Sequence, residues 1–90
     1  MAGVINDYEA LCKFRRELLD TVDDLRVQLN NTERAMSDVA ASWKDAQFSK
    51  YEEEFTKDKE KIEPLCKDLE AFESEVLYPL EQLLRKYLGL

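Results

Sequence analysis

Residues 39–48 form the stretch that decides the fold, Val-Ala-Ala-Ser-Trp-Lys-Asp-Ala-Gln-Phe. Apolar residues recur every three or four positions on both sides of it, and only residues 41–46 separate the two repeats. So short a link forces the flanking segments to run antiparallel. The stretch therefore predicts that the chain reverses near residues 43 and 44.

Each flanking segment carries two rows of mostly apolar residues at heptad spacing. The first segment has Val4, Leu11, Leu18, Leu25, Thr32 and Val39, and Tyr8, Arg15, Val22, Leu29, Met36 and Trp43. The second has Phe48, Phe55, Ile62, Leu69, Val76, Leu83 and Leu90, and Tyr51, Asp58, Leu65, Phe72 and Pro79 with Leu80. This spacing is typical of knobs-into-holes packing between helices. One antiparallel register, in which facing residue numbers sum to about 87, pairs both sets of rows.

The rows predict an all-α fold, an antiparallel two-helix hairpin in a single domain of residues 1–90. Helix 1 is expected at about 6–41, the turn at 42–45 and helix 2 at about 46–88. Two hairpins of this kind are expected to pair into a four-helix bundle, because a thin hairpin of this length buries too little surface on its own.

Local signals support these helix boundaries. Asn6 followed by Glu9 has capping-box spacing, and Ser42 with Asp45 repeats the pattern where helix 2 begins. The chain also holds two prolines, Pro64 and Pro79, and each deletes a backbone hydrogen bond and crowds the preceding turn. We expect a kink at one or both prolines, without a break in helix 2.

Composition excludes several function classes. The net charge of −7 opposes binding to nucleic acid or to an anionic membrane surface. No apolar run approaches the roughly 18 residues of a membrane span, so membrane insertion is not expected. The first residues lack the basic and apolar regions of a leader, which predicts synthesis as a soluble cytoplasmic protein whose export, if any, needs no cleavable signal peptide.

Catalytic and metal chemistry find no support in the sequence. There is no histidine to act as a general base or as a ligand in a helical di-metal site, so we predict no catalytic residues, no metal and no cofactor. Cys12 and Cys66 lie roughly 14 Å apart in the predicted register, which is too far for an intrachain disulfide. Reduced thiols are favoured, and an interchain bridge stays open. Arg15 and Asp58 are expected to extend to water or to fix the register.

A second set of apolar residues near the termini predicts the partner interface. On helix 1 it is the row Ile5, Cys12 and Leu19, and on helix 2 it is Leu77, Leu80, Leu84 and Leu88. Residues 50–61 near the turn are charged almost throughout, so that half is expected to be solvated. The expected partner is a second copy of the chain or a similar small helical protein.

Trp43 is the only tryptophan and lies in the turn, close to Asp45 and Phe48. One interpretation is structural, with the ring covering the end of the apolar rows between the helices. The alternative is a recognition motif. Two amphipathic helices with a tryptophan at their junction resemble the WXG100 family of small secreted helical hairpins, although Asp45 stands where that family has glycine. An aspartate is compatible with this layout if it starts helix 2.

The resemblance implies a dimeric four-helix bundle that is exported by a type VII-like secretion system as an effector, chaperone or adaptor for a larger substrate. Trp43, Asp45 and Phe48 would then form the recognition motif at the tip. The family's C-terminal signal, a tyrosine followed four positions later by an acidic residue, is missing here. A helper role, bound to a larger secreted substrate or a secretion component, is therefore favoured over independent export. The alternative function is a cytoplasmic coiled-coil adaptor or subunit of another assembly with no secretion role.

Overall fold

The computed structural model describes residues 2–90, which form a helical hairpin. Helix α1 spans Ala2–Ser42, and α2 spans Ala46–Phe72. A five-residue π-helical turn, Glu73–Leu77, joins α2 to α3, Tyr78–Tyr87. The hairpin is 63 Å long and 17 by 16 Å across. The predicted all-α hairpin is confirmed, and residue 1 of the predicted domain lies outside the described residues.

The reversal is built by Asp45, which caps the start of α2. Its backbone is extended (φ −113°, ψ 126°), and its carboxylate accepts hydrogen bonds from the backbone N–H groups of Gln47 (2.7 Å) and Phe48 (3.4 Å). These donors have no partner inside the helix, so the cap replaces the missing bonds. Ser42 is instead the last residue of α1, and its hydroxyl donates to the carbonyl of Val39 (3.3 Å). The capping role predicted for Ser42 is therefore wrong.

The first and last helical residues both lie at the open end of the hairpin. Helix α1 begins at Ala2, so Asn6 lies inside the helix and does not cap it, contrary to the sequence prediction. Helix α3 ends in a Schellman motif, in which Leu90 N–H donates to Arg85 C=O (3.0 Å) and Gly89 N–H donates to Lys86 C=O (3.1 Å). Gly89 has φ of 73°, a conformation that a side chain would strain.

The interior lies between α1 and the joined helices α2 and α3. Val22 and Cys66 are almost fully buried near the middle of the hairpin. The predicted rows of α1 face inward over most of their length, but Thr32 and Val39 are exposed while Glu33 and Ala40 beside them are half-buried. An α-helix drifts by about 20° per heptad, and over five heptads this drift moves the inward position by one residue.

The π-helical turn moves the inward row of the second arm by one residue. Up to Leu69 the predicted row of Phe48 faces α1, but the prediction for its companion row is wrong, because the members of that row on α2 are exposed: Tyr51, Asp58, Leu65 and Phe72. Beyond the turn Leu77 is only 5% exposed, whereas Val76 is 49% exposed. The predicted facing of Val4 by Leu83 is displaced in the same way, because Leu83 is 63% exposed and Leu84 is half-buried. The extra residue in the π-helical turn therefore moves the inward-facing positions one residue toward the C-terminus, from Leu77 onward.

Pro79 gives a physical reason for the π-helical turn. Proline has no N–H to donate, and its ring clashes with the carbonyl of the residue four positions earlier, here Glu75. Widening the turn before the proline relieves this crowding, and the N–H of Tyr78 bonds the carbonyl of Glu73 in the wider π pattern. Pro64 lies within the continuous helix α2. Neither proline breaks the arm, as predicted.

Candidate interaction surface

One side of the hairpin is closed by an arginine that binds two glutamates of the opposite arm. The Arg26 guanidinium donates to Glu63 (2.6 and 3.2 Å) and to Glu70 (2.7 and 2.8 Å). Hydrogen bonds from Arg26 lower the pKa of both carboxyl groups below the ordinary value, and the same bonds raise the pKa of the guanidinium. The three residues form a charge-assisted clamp across the two helices.

A second arginine lies deeper, toward the open end of the hairpin. Arg15 forms ion pairs with Glu73 (Nε to Oε1, 2.7 Å) and with Glu81, and its guanidinium stacks over the ring of Tyr78 at 4.8 Å. The thiol of Cys12 donates to Glu81 Oε1 (3.0 Å). All three charged side chains are largely withdrawn from solvent. Arg15 therefore does not extend to water but is held by carboxylates of the opposite arm.

A third ion pair joins Lys59 to Glu33 (3.1 Å) on the same side as Arg26. Between these pairs is a groove of about 590 Å³, whose floor includes the fully buried Cys66. The side of the hairpin that carries the contacts of Arg26, Glu33 and Cys12 is called the polar side below. Both cysteines are free, and Cys66 is fully buried.

The opposite side is apolar. A helix turns by about 100° per residue, so residues two positions after Glu63 and Glu70 point about 200° away from the polar side. These residues are Leu65 and Phe72, and both are exposed. From Phe72 the exposed stripe continues at spacings of four, four and three residues, to Val76, Leu80 and Leu83. Together with Phe14 of α1, it forms what we call the apolar face: Phe14, Leu65, Phe72, Val76, Leu80 and Leu83.

The predicted interface residues divide between this face and the interior. Leu80 belongs to the apolar face, and Ile5 is exposed on the polar side. Leu77 is buried in the hairpin itself, so the structure contradicts its predicted place on an outer surface. The remaining residues are half-buried between or beside the helices: Cys12, Leu19, Leu84 and Leu88. Near the termini a groove of about 360 Å³ between Val4 and the leucines of α3 continues the apolar surface.

The rows of Cys12 and Leu77 were predicted to belong to one partner interface, which requires both rows to lie on the same side of the hairpin. Near the middle of the hairpin the two rows do lie on the same side. Arg26 belongs to the row of Cys12 and Glu63 to the row of Leu77, each two heptads closer to the turn, and these two side chains form a hydrogen bond. Beyond Glu73 the extra residue of the π-helical turn carries Leu77 into the interior and turns Val76 outward. The sequence prediction therefore placed the exposed apolar surface on the wrong side of the open end.

Trp43 projects from the tip of the hairpin with 62% of its surface exposed. It lies between α1 and the Asp45 cap, while Phe48 is half-buried against α1. A ring that covered the end of the apolar rows would be buried against Val39 and Phe48, and Val39 is itself exposed. The geometry therefore gives no support to a purely structural role for the tryptophan.

Sequence reasoning missed the Arg26 clamp. The available signal was the heptad spacing of Glu63 and Glu70, in the row that faces the row of Arg26. The charged stretch that was expected to be solvated, residues 50–61, ends before both glutamates, and no role was predicted for Arg26. Among residues 2–90, no group of three or more His, Cys, Asp or Glu side chains is placed to hold a metal ion. No helix in that range is long and apolar enough to cross a membrane.

Comparison of the chain with family models, with curated proteins and with solved structures finds no match. The surfaces described above therefore carry the functional argument.

Proposed function

We propose that this chain is a non-enzymatic protein-interaction module that packs side by side with a second small helical hairpin, a copy of itself or a similar protein, as a four-helix bundle. The observation that carries the proposal is the apolar face. Exposed apolar residues that follow one another along a helix mark an interaction surface, whereas single exposed residues do not.

The spacing of this face supports a helical partner in particular. Phe72, Val76, Leu80 and Leu83 recur every three or four residues, which is the pattern that inserts knobs into the holes of a facing helix. The other side is unsuited to this packing, because Arg26 and its glutamates cover it with charge. A partner hairpin docked on the apolar face would bury a continuous stripe and leave the polar side in water.

A matched pair of valines tests this proposal. Val76→Asp places a charge in the apolar face, and Val27→Asp makes the same change on the outer surface of α1, where the valine is 53% exposed. The mass of the chain is measured by sedimentation, alone and after co-expression with small helical proteins encoded by neighbouring genes. We expect a stoichiometric complex that Val76→Asp disrupts and Val27→Asp preserves. A complex that both variants form equally well would contradict the proposal.

The resemblance to WXG100 proteins extends the proposal to type VII-like secretion, with the chain as an exported protein, chaperone or adaptor. The observation in favour is the exposure of Trp43 at the tip, where a secretion component could contact it. A cytoplasmic adaptor without a secretion role is the alternative, and in it Trp43 needs no export function.

Export from the native host separates the two. Trp43→Ala is compared with Tyr51→Ala, which removes another exposed aromatic ring near the tip. The secretion proposal expects Trp43→Ala alone to abolish export while helicity and oligomeric mass are unchanged. Export that is unaffected by Trp43→Ala, or a wild-type chain found only inside cells, would contradict it.

A further inference from the structure

The two sides of the hairpin differ in charge as well as in polarity. Two heptad rows of α1, those of Phe14 and Glu17, border the apolar face, and so do the α2 rows of Leu65 and Lys61. These four rows hold eight carboxylates and one lysine, all of them exposed: Asp7, Glu17, Asp24, Asp38, Glu54, Asp58, Asp68, Glu75 and Lys61.

The lone cation in this border is already engaged. Lys61 lies 4.0 Å from Asp58, its neighbour three residues earlier on the same helix. Glu17 also has a cation beside it, since Lys13 lies 3.8 Å away on the same helix. Arg15 and Arg26 bind glutamates in the interior and on the polar side, so these two arginines do not neutralise the border. The four rows that border the apolar face therefore have a net charge of −7, which equals the net charge of the whole chain. The electrostatic potential along this border is strongly negative.

We infer that the partner of the apolar face is a helical protein whose own apolar stripe is bordered by lysine and arginine, and that it is not a second copy of this chain. The inference rests on the proposed function and specifies its partner. Two copies would bring their acidic borders together along the docked helices, within the roughly 8 Å over which charges act at physiological salt. A basic border would turn the same repulsion into attraction and would speed the encounter.

A charge-reversed copy of the chain supplies the basic partner for a test. The rim-reversed variant replaces five exposed acidic residues of this border by lysine, which changes the charge of the border from −7 to about +3: Glu17→Lys, Asp24→Lys, Asp38→Lys, Glu54→Lys and Asp68→Lys. The control has the same change in net charge at exposed positions outside the border: Glu9→Lys, Asp20→Lys, Asp23→Lys, Glu53→Lys and Glu60→Lys. Circular dichroism first establishes that both variants keep the helicity of the wild type.

Sedimentation then measures association of the wild type alone, of each variant alone, and of equimolar mixtures, at low and high salt. We expect the wild type to bind the rim-reversed chain at least about tenfold more tightly than it binds itself or the control variant. Added salt should weaken the mixed pair, because it screens an attraction, and should strengthen any pairing of the wild type with itself.

Two results would overturn the inference, and they are distinguishable. If the wild type pairs with itself through Val76 as tightly as with the rim-reversed chain, the proposed function stands and the basic partner is wrong. If no mixture associates at any salt concentration, the apolar face is not a docking surface, and the proposed function fails as well.

Discussion

Replacement of Leu77 by alanine tests whether the π-helical turn sets the interior of the open half. Leu77 is 5% exposed, and a buried Leu→Ala change costs about 2–5 kcal/mol. We expect the free energy of unfolding to fall by the lower part of that range, about 2–3 kcal/mol. The interior lies between only two helical arms, which can move together and reduce a cavity more easily than a thick core can. In a domain of this size the melting temperature should fall by about 10–20 °C.

Leu83→Ala is the matched control, since it removes the same atoms from a side chain that is 63% exposed. A surface change of this kind costs about 0.5 kcal/mol or less. An uninterrupted heptad places Leu83 opposite Val4 and would make it the costlier substitution. Both variants are unfolded in urea and followed by circular dichroism, at a concentration where the chain sediments as a monomer. If Leu83→Ala destabilises the protein as much as Leu77→Ala does, the claim that the π-helical turn shifts the inward row by one residue is refuted.

Three further predictions concern the turn, the clamp and the buried thiol. Asp45→Ala should lower the free energy of unfolding by about 1 kcal/mol, and Asp45→Asn should restore most of it. The carboxyl groups of Glu63 and Glu70 have pKa values lowered by Arg26, so the stabilisation that Arg26 gives is complete at neutral pH. It should be lost as the pH falls below the ordinary glutamate value of 4.5, so that the stability gap between wild type and Arg26→Met closes in urea titrations at acid pH. Cys66 should react with maleimide only as fast as the hairpin opens, whereas an immediate reaction would contradict its burial.

The hairpin could be predicted from the sequence because heptad spacing and a short link leave few other folds. The α2 row of Phe48, Phe55, Ile62 and Leu69 faces inward as the spacing requires. The start of α2 at Ala46 agrees with the predicted boundary, although the residue that caps it is Asp45 and not Ser42. At the other end of the hairpin, Asn6 has the same kind of signal but lies within α1, because the helix already includes the residues from Ala2 onward.

The part of the apolar face beyond Glu73 could not be placed from the sequence, because the shift in the inward row there comes from local backbone geometry. Pro79 indicated a disturbance, but a proline can be accommodated by a kink, a break or a wider turn, and only the last adds a residue to the row. A one-residue shift exchanges Leu77 with Val76 and Leu84 with Leu83. Both members of each pair are apolar, so hydropathy cannot show which one faces α1.

The inward-facing charges explain how such a thin hairpin holds one register. A slide of one heptad would keep apolar rows in contact, but it would leave Arg15 and Arg26 with one glutamate each in place of two, because the two glutamates that each arginine binds lie about two helical turns apart. Separating one partner of a partly buried ion pair is costly, whereas the intact pair adds little net stability. The arginines therefore select the register more than they stabilise the fold. The register also fixes which stretches of the two arms lie side by side, so the ion pairs of the polar side determine that Phe14 of α1 lies beside the exposed apolar residues of the second arm.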